Sequence, residues 1–141
     1  MINWTFEAGL KTSADIVQVA TDSKKIFDLF SNENAVMTSS SHLSGTDRVN
    51  EAVSKINLND NDVVINLQGD EPFINPADIN NLFELASKEE ITMATLYSEL
   101  KSLGELKDPN KVKVLVCDGI ASNFFRETSL EENIFLSLIH I

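Results

Sequence analysis

Two short segments carry the residue types that could do chemistry. Gln68-Gly69-Asp70-Glu71-Pro72 follows directly on an apolar run that contains Val63, Val64, Ile65 and Leu67. A carboxylate fixed at the end of such a run can hold a hard cation such as Mg²⁺, with substrate phosphates completing its shell. The other segment is Ser41-His42-Leu43-Ser44-Gly45-Thr46-Asp47-Arg48. Gly45 lets backbone approach a ligand closely, and Ser44 and Thr46 place hydroxyls and free amides near a helix start. Each segment also has a plainer reading. Ser and Thr are ordinary helix caps, and Gly, Asp and Pro are ordinary turn residues. Placement favours chemistry for Gln68 and Asp70, because they directly follow the most apolar run of the chain.

Other chemistries find little support. His42 is the one histidine in the body of the chain, too few for a zinc site or a triad, and no Walker-type phosphate loop occurs. The single cysteine, Cys117, excludes an internal disulfide; its apolar surroundings predict a buried, inert thiol. A formal charge of −11 argues against nucleic acid and against an anionic membrane surface. No apolar run is long enough to span a bilayer, and Met1–Lys11 lacks the pattern of a signal peptide, so a cytoplasmic protein is expected.

The elements that must position these segments alternate between two periods. Ile2, Phe6 and Leu10 share a helical stripe, Asp15–Thr21 reads as a strand, and Ile26, Leu29 and Phe30 read as one face of a second helix. Asn34–Thr38 is a short strand, and Thr46–Ile56 returns to helical spacing. Asp62–Leu67 is the clearest strand, apolar on both faces as in a central parallel strand. Asn75-Pro76 starts a helix with a cap and a proline. Its buried stripe is Ile79, Leu82, Phe83 and Ala86. Ile91–Leu96 and Val112–Cys117 are further strands, and the polar segment 98–111 between them carries a short helix. This alternation predicts an α/β fold, with a mixed, mostly parallel sheet covered by helices on both faces. Ligands of such sheets collect beyond the carboxyl ends of the strands.

Several stretches together resemble the 3-deoxy-manno-octulosonate cytidylyltransferases. They are Val19-Ala20-Thr21-Asp22, Val36-Met37-Thr38, His42 to Arg48, Val64 to Pro72, Met93-Ala94-Thr95-Leu96 and Asp108 to Val114, in the family's order. The likeness covers roughly residues 1–126. It implies a Rossmann-like nucleotidyltransferase fold and transfer of CMP from CTP to 3-deoxy-manno-octulosonate, for lipopolysaccharide synthesis, with release of pyrophosphate. By the same resemblance Ser44, Gly45 and Thr46 lie against the cytosine, Arg48 holds their loop, Gln68 faces the bound nucleotide or sugar, and Asp70 ligates Mg²⁺. A homodimer of the full-length protein is also implied. A non-catalytic nucleotide-binding module on the same fold, or a cytidylyltransferase for another sugar acid, stands as the alternative.

The chain departs from the family at both ends. The basic, glycine-containing loop that clasps the triphosphate near the family's start has no counterpart here, and Met1-Ile2 resembles the start of the helix after it. Ala121–Arg126 matches only in part, with Phe125 in the place of a serine. Residues 1–135 are therefore expected to form a partial cytidylyltransferase domain, inactive by itself. Leu136–Ile141 reads as a non-native tail.

Overall fold

The computed structural model describes residues 1–88, 91–126 and 134–140 of the 141-residue chain. Helix α1, Ile2–Gly9, buries Thr5, Ala8 and Gly9. A short unit follows: strand β1 (Val19–Thr21), one turn of helix α2 (Lys24–Phe27) and strand β2 (Ala35–Met37). β1 and β2 pair in parallel, Val19 opposite Ala35 and Thr21 opposite Met37. Helix α3, Gly45–Val53, comes next.

Helix α4, Pro76–Ala86, begins as its sequence predicts. The Asn75 side chain caps it by accepting from the Ala77 amide at 3.0 Å, and Pro76 takes the first turn, where no amide hydrogen is needed. Its face buries Ile79 and Leu82. Leu82 and Ala94 anchor a core joined by Ile65, Leu67, Ile74 and Leu96. Phe83, expected in that stripe, is 41% exposed, because one 11-residue helix turns only part of its apolar surface inward.

The second half is antiparallel. Strands β3 (Thr95–Glu99), β4 (Lys113–Cys117), β5 (Ile120–Phe125) and β6 (Ile134–His140) form one sheet in the order β3-β6-β4-β5. Helix α5, Leu103–Lys107, is the short helix expected between β3 and β4. The hairpin of β4 and β5 turns on Asp118 and Gly119, both at positive φ (52° and 77°). That Asp-Gly pair is the residue choice such a two-residue turn demands. The mixed α/β class is as expected, but the described strands form one parallel pair and a separate antiparallel sheet of four, so the sheet is not mostly parallel as expected.

Three further expectations need correction. Asp62–Leu67 is extended but is not a paired strand; it makes a single isolated bridge, at Asn66. A cavity of about 450 Å³ lies between this segment and β1, so the two backbones stand apart instead of pairing. Cys117 is exposed, because it is the last residue of β4 and its side chain leaves the covered part of the sheet as the turn begins. Leu29 is exposed as well, since α2 ends at Phe27 and no helical face extends to it. Residues 127–133, assigned above to the partial domain, lie outside the described residues. Leu136–His140, read above as a foreign tail, belongs to the backbone of β6; a run of apolar residues forms a strand whatever its origin.

Lys113 is fully buried in β4, and among the described residues no carboxylate pairs with it. Its ammonium donates to three backbone carbonyls, those of Asp108 at 2.7 Å, Lys111 at 2.9 Å and Arg126. Arg126 answers by donating to the carbonyls of Pro109 at 3.2 Å and Asn110 at 3.3 Å. Two cations thus clasp the turn before β4 to the end of β5. Lys113→Met keeps the volume but strands those carbonyls, and should lower stability in urea denaturation by about 1–3 kcal/mol. Unchanged stability would mean that desolvating the ammonium cancels its bonds.

Candidate functional site

The first turn of α3 is built by its own side chains. Ser44 is the N-cap: its Oγ accepts from the Asp47 amide at 3.1 Å and donates to Asp47 Oδ2 at 2.7 Å. That hydroxyl is therefore engaged within the helix. Helix geometry leaves the amides of Gly45 and Thr46 without intrahelical acceptors, and both residues are exposed. What this segment offers a ligand is a pair of amides and the Thr46 hydroxyl, at the positive end of a helix.

Arg48 ties three elements together. Its Nη1 donates to Thr38 Oγ1 at 2.7 Å and to the Ser39 carbonyl at 3.4 Å, and its Nη2 reaches Asp22 Oδ2 at 3.1 Å. Asp22 follows β1 and Thr38 follows β2, so one planar guanidinium joins the carboxyl ends of both parallel strands to the start of α3. Lysine has no such fork.

The second segment approaches the first. Along the extended residues 65–68, side chains alternate. Ile65 and Leu67 pack on the Leu82 core, while Asn66 and Gln68 share the opposite face. A methyl placed on Gly45 would lie 3.8 Å from Gln68 Nε2 and 3.9 Å from Asn66 Nδ2. Glycine at position 45 thus leaves space directly beside two carboxamides. These groups border the cavity, whose other walls are mostly apolar side chains such as Val17, Val19, Val53 and Val64.

Beyond Gln68 the chain turns, Glu71 N donating to the Gln68 carbonyl at 3.1 Å, and Thr5 of α1 steadies the turn by donating to the Gly69 carbonyl at 3.2 Å. Asp70 is exposed on this turn and Glu71 is half-buried. Burial, and then the charge of Asp70, raise the Glu71 carboxyl above its ordinary value. Among the described residues no three His, Cys, Asp or Glu side chains gather as a metal cluster. A single exposed carboxylate suits a cation that arrives with phosphates, since Mg²⁺ commonly takes one or two carboxylates and completes its shell with phosphate and water.

The structure therefore brings Gly45 together with Gln68, sets Ser44, Thr46 and Arg48 around them, and leaves Asp70 one turn further on. Residue reading passed over Asn66, Asp22 and the pair Glu51 and Lys55. The available signals were the two-residue spacing of Asn66 from Gln68, and the spacing of Arg48, Glu51 and Lys55 along one helical face.

Comparisons with known proteins identify the family. The cytidylyltransferase family profile matches residues 1–132, and the chain belongs to that family. Among curated relatives, a 3-deoxy-manno-octulosonate cytidylyltransferase of Haemophilus influenzae is 39% identical over 129 residues, covering 89% of this chain and 51% of the relative. An 8-amino-3,8-dideoxy-manno-octulosonate cytidylyltransferase of Shewanella frigidimarina is 42% identical over 120 residues, covering 82% and 49%. A solved CMP:2-keto-3-deoxy-manno-octonic acid synthetase complexed with CTP superposes with a TM-score of 0.80 at 32% identity, over 99% of this chain and 61% of that one. The chain spans about half the length of the curated relatives it matches.

Two predictions follow from the geometry. Gly45→Ala should change stability by no more than about 0.5 kcal/mol, whereas Gly45→Leu should shift the side-chain amide resonances of Asn66 and Gln68. Unmoved resonances in the leucine variant would place the two segments apart in solution. For Glu71 the sign is opposite to that of a paired carboxylate. Its raised value means that stability is fully present below the ordinary 4.5 and declines as pH rises through the folded value. Glu71→Gln should therefore match the wild type in thermal melts at pH 4 and melt higher at neutral pH; a lower neutral melting point would contradict this.

Proposed function

We propose that this chain acts in the transfer of CMP from CTP to 3-deoxy-manno-octulosonate, with release of pyrophosphate, in lipopolysaccharide synthesis. The observation that carries the reading is the meeting of Gly45 with Gln68 and Asn66. It sets free helix-end amides and two carboxamides around one space, in a chain whose relatives are named for this reaction and whose solved neighbour holds CTP. In the proposed reaction the anomeric hydroxyl of the sugar acid attacks the α-phosphorus. A new P–O bond forms, the bond to the β-phosphate breaks, and pyrophosphate leaves with the electron pair while the hydroxyl proton is released.

In this reading Ser44, Gly45 and Thr46 face the cytosine, and Arg48 keeps their segment against the strand ends. Gln68 orients nucleotide or sugar, and Asp70 would hold a Mg²⁺ ion, whose chemistry is to offset charge developing on the phosphates. The chain's own contribution is mainly to position the reactants. No helix of the described residues is long and apolar enough to cross a membrane. We place the reaction in the cytoplasm, where CTP is made, and keep the homodimer implied by the family resemblance as part of the proposal. The −11 charge gives nucleic acid no part in it.

The Shewanella relative favours a second reading, in which the acceptor is the 8-amino analogue of the same sugar acid. One assay separates the two: pyrophosphate release from CTP and Mg²⁺ with each sugar acid, using the longest natural reading frame that contains this sequence. Turnover should appear with one of them and fall by at least about 10²-fold in Asp70→Asn, because losing a metal ligand removes several kcal/mol of charge stabilisation. Full activity in Asp70→Asn would remove Asp70 from the metal site. CTP binding without turnover on either sugar acid would leave a non-catalytic nucleotide module.

A further inference from the structure

We propose that Glu51 is a positioning residue for the nucleotide-facing segment, holding residues 39–42 so that Ser44, Gly45 and Thr46 meet the base in one register. The inference rests on the CTP reading above.

Arg48, Glu51 and Lys55 stand at i, i+3 and i+7 on one face of α3 and just beyond its end. Together they hold the stretch that leads from β2 into α3. Lys55 Nζ donates to the Met37 carbonyl at 2.7 Å, and Arg48 holds Thr38 and the Ser39 carbonyl. Only Glu51, among the described residues of this face, reaches further along the segment. Its Oε2 accepts from the Ser39 amide at 2.8 Å and also meets His42 Nε2, while Oε1 accepts from Lys55 Nζ at 2.6 Å.

One carboxylate oxygen therefore gathers both ends of the four-residue stretch 39–42. Within it, Ser39 and Ser41 hydroxyls meet at 2.7 Å and the Ser41 amide donates to Ser39 Oγ at 3.1 Å, so the stretch is a folded turn. His42 is its last anchored residue before the Ser44 cap. Leu43, between them, is 99% exposed, so no apolar contact fixes this approach. The Lys55 ammonium first, then the Ser39 amide and His42, draw the Glu51 carboxyl down to about 2. An ionised carboxylate only accepts, so the hydrogen of the contact sits on His42 Nε2.

Removing this anchor should blur the register of the segment without dismantling the helix. The test is titration of the longest natural reading frame that contains this sequence with CTP and with UTP, for wild type, Glu51→Gln and Lys55→Met, with melting curves for each. Glu51→Gln should weaken CTP binding by about tenfold and shrink the preference for CTP over UTP. Lys55→Met, which removes the hold on Met37 but leaves the Ser39 and His42 contacts in place, should weaken CTP and UTP alike and keep the preference within about twofold. Equal losses for CTP and UTP in Glu51→Gln would reduce Glu51 to a general structural role and overturn the proposal, as would unchanged CTP binding. A wild-type chain with no preference for CTP would instead defeat the cytidine reading itself, and this proposal with it. Should Glu51→Gln fail to fold, His42→Leu removes the last anchor alone and should shift the CTP preference in the same direction; an unshifted preference there overturns the proposal equally.

Discussion

The stretch from Met37 to His42 joins a strand to the helix whose first turn faces the candidate ligand space, and its surroundings offer little apolar surface to hold it. Polar bonds from one face of α3 do that work. Arg48 and Lys55 secure its beginning, and Glu51 joins Ser39 to His42 at its end. Arg48 also reaches Asp22, so the carboxyl ends of β1 and β2 are aligned by the same face. Hydrogen bonds to charged groups are stronger than neutral ones, and here they share donors and acceptors. That network sets the approach to the first turn of α3, where Gly45 lies beside Gln68.

An adjoining face of α3 has a different task. Val49, Ala52, Val53 and Ile56 line the cavity that separates β1 from residues 63–68. In the second half of the chain, order comes from antiparallel pairing and from the clasp of buried Lys113 and exposed Arg126, both of which bond backbone carbonyls. The chain thus holds its two halves by different means. Side-chain charge sets the loops of the parallel half, and backbone pairing sets the antiparallel half.

Sequence period and residue type made much of this legible. The Asn75-Pro76 start of α4, the helix within residues 45–56 and the small helix before β4 follow from local rules that tertiary context did not override. The central failure, Asp62–Leu67, has a physical reason. A strand is defined by a partner, and the apolar run shows readiness to be covered without showing what pairs with it. Cys117 failed for a related reason, since hydrophobic neighbours in sequence say nothing of where a strand ends. In the candidate site, the motif residues were visible as types, but their meeting was not. That Asn66 turns to the same side as Gln68, and that Glu51 gathers Ser39 and His42, depends on side-chain direction in the folded chain.

The two faces of α3 have a consequence for how the sequence can vary. Each residue advances an α-helix by about 100°. Losing or gaining one residue between Arg48 and Lys55 would swing Lys55, and with it the later apolar residues, out of line with the segment and the cavity they face. Substitution can adjust either face alone, but a change of length within the helix damages both at once. Length drift should therefore gather in the exposed stretch 57–61 after the helix, leaving the interval from Arg48 to Lys55 constant.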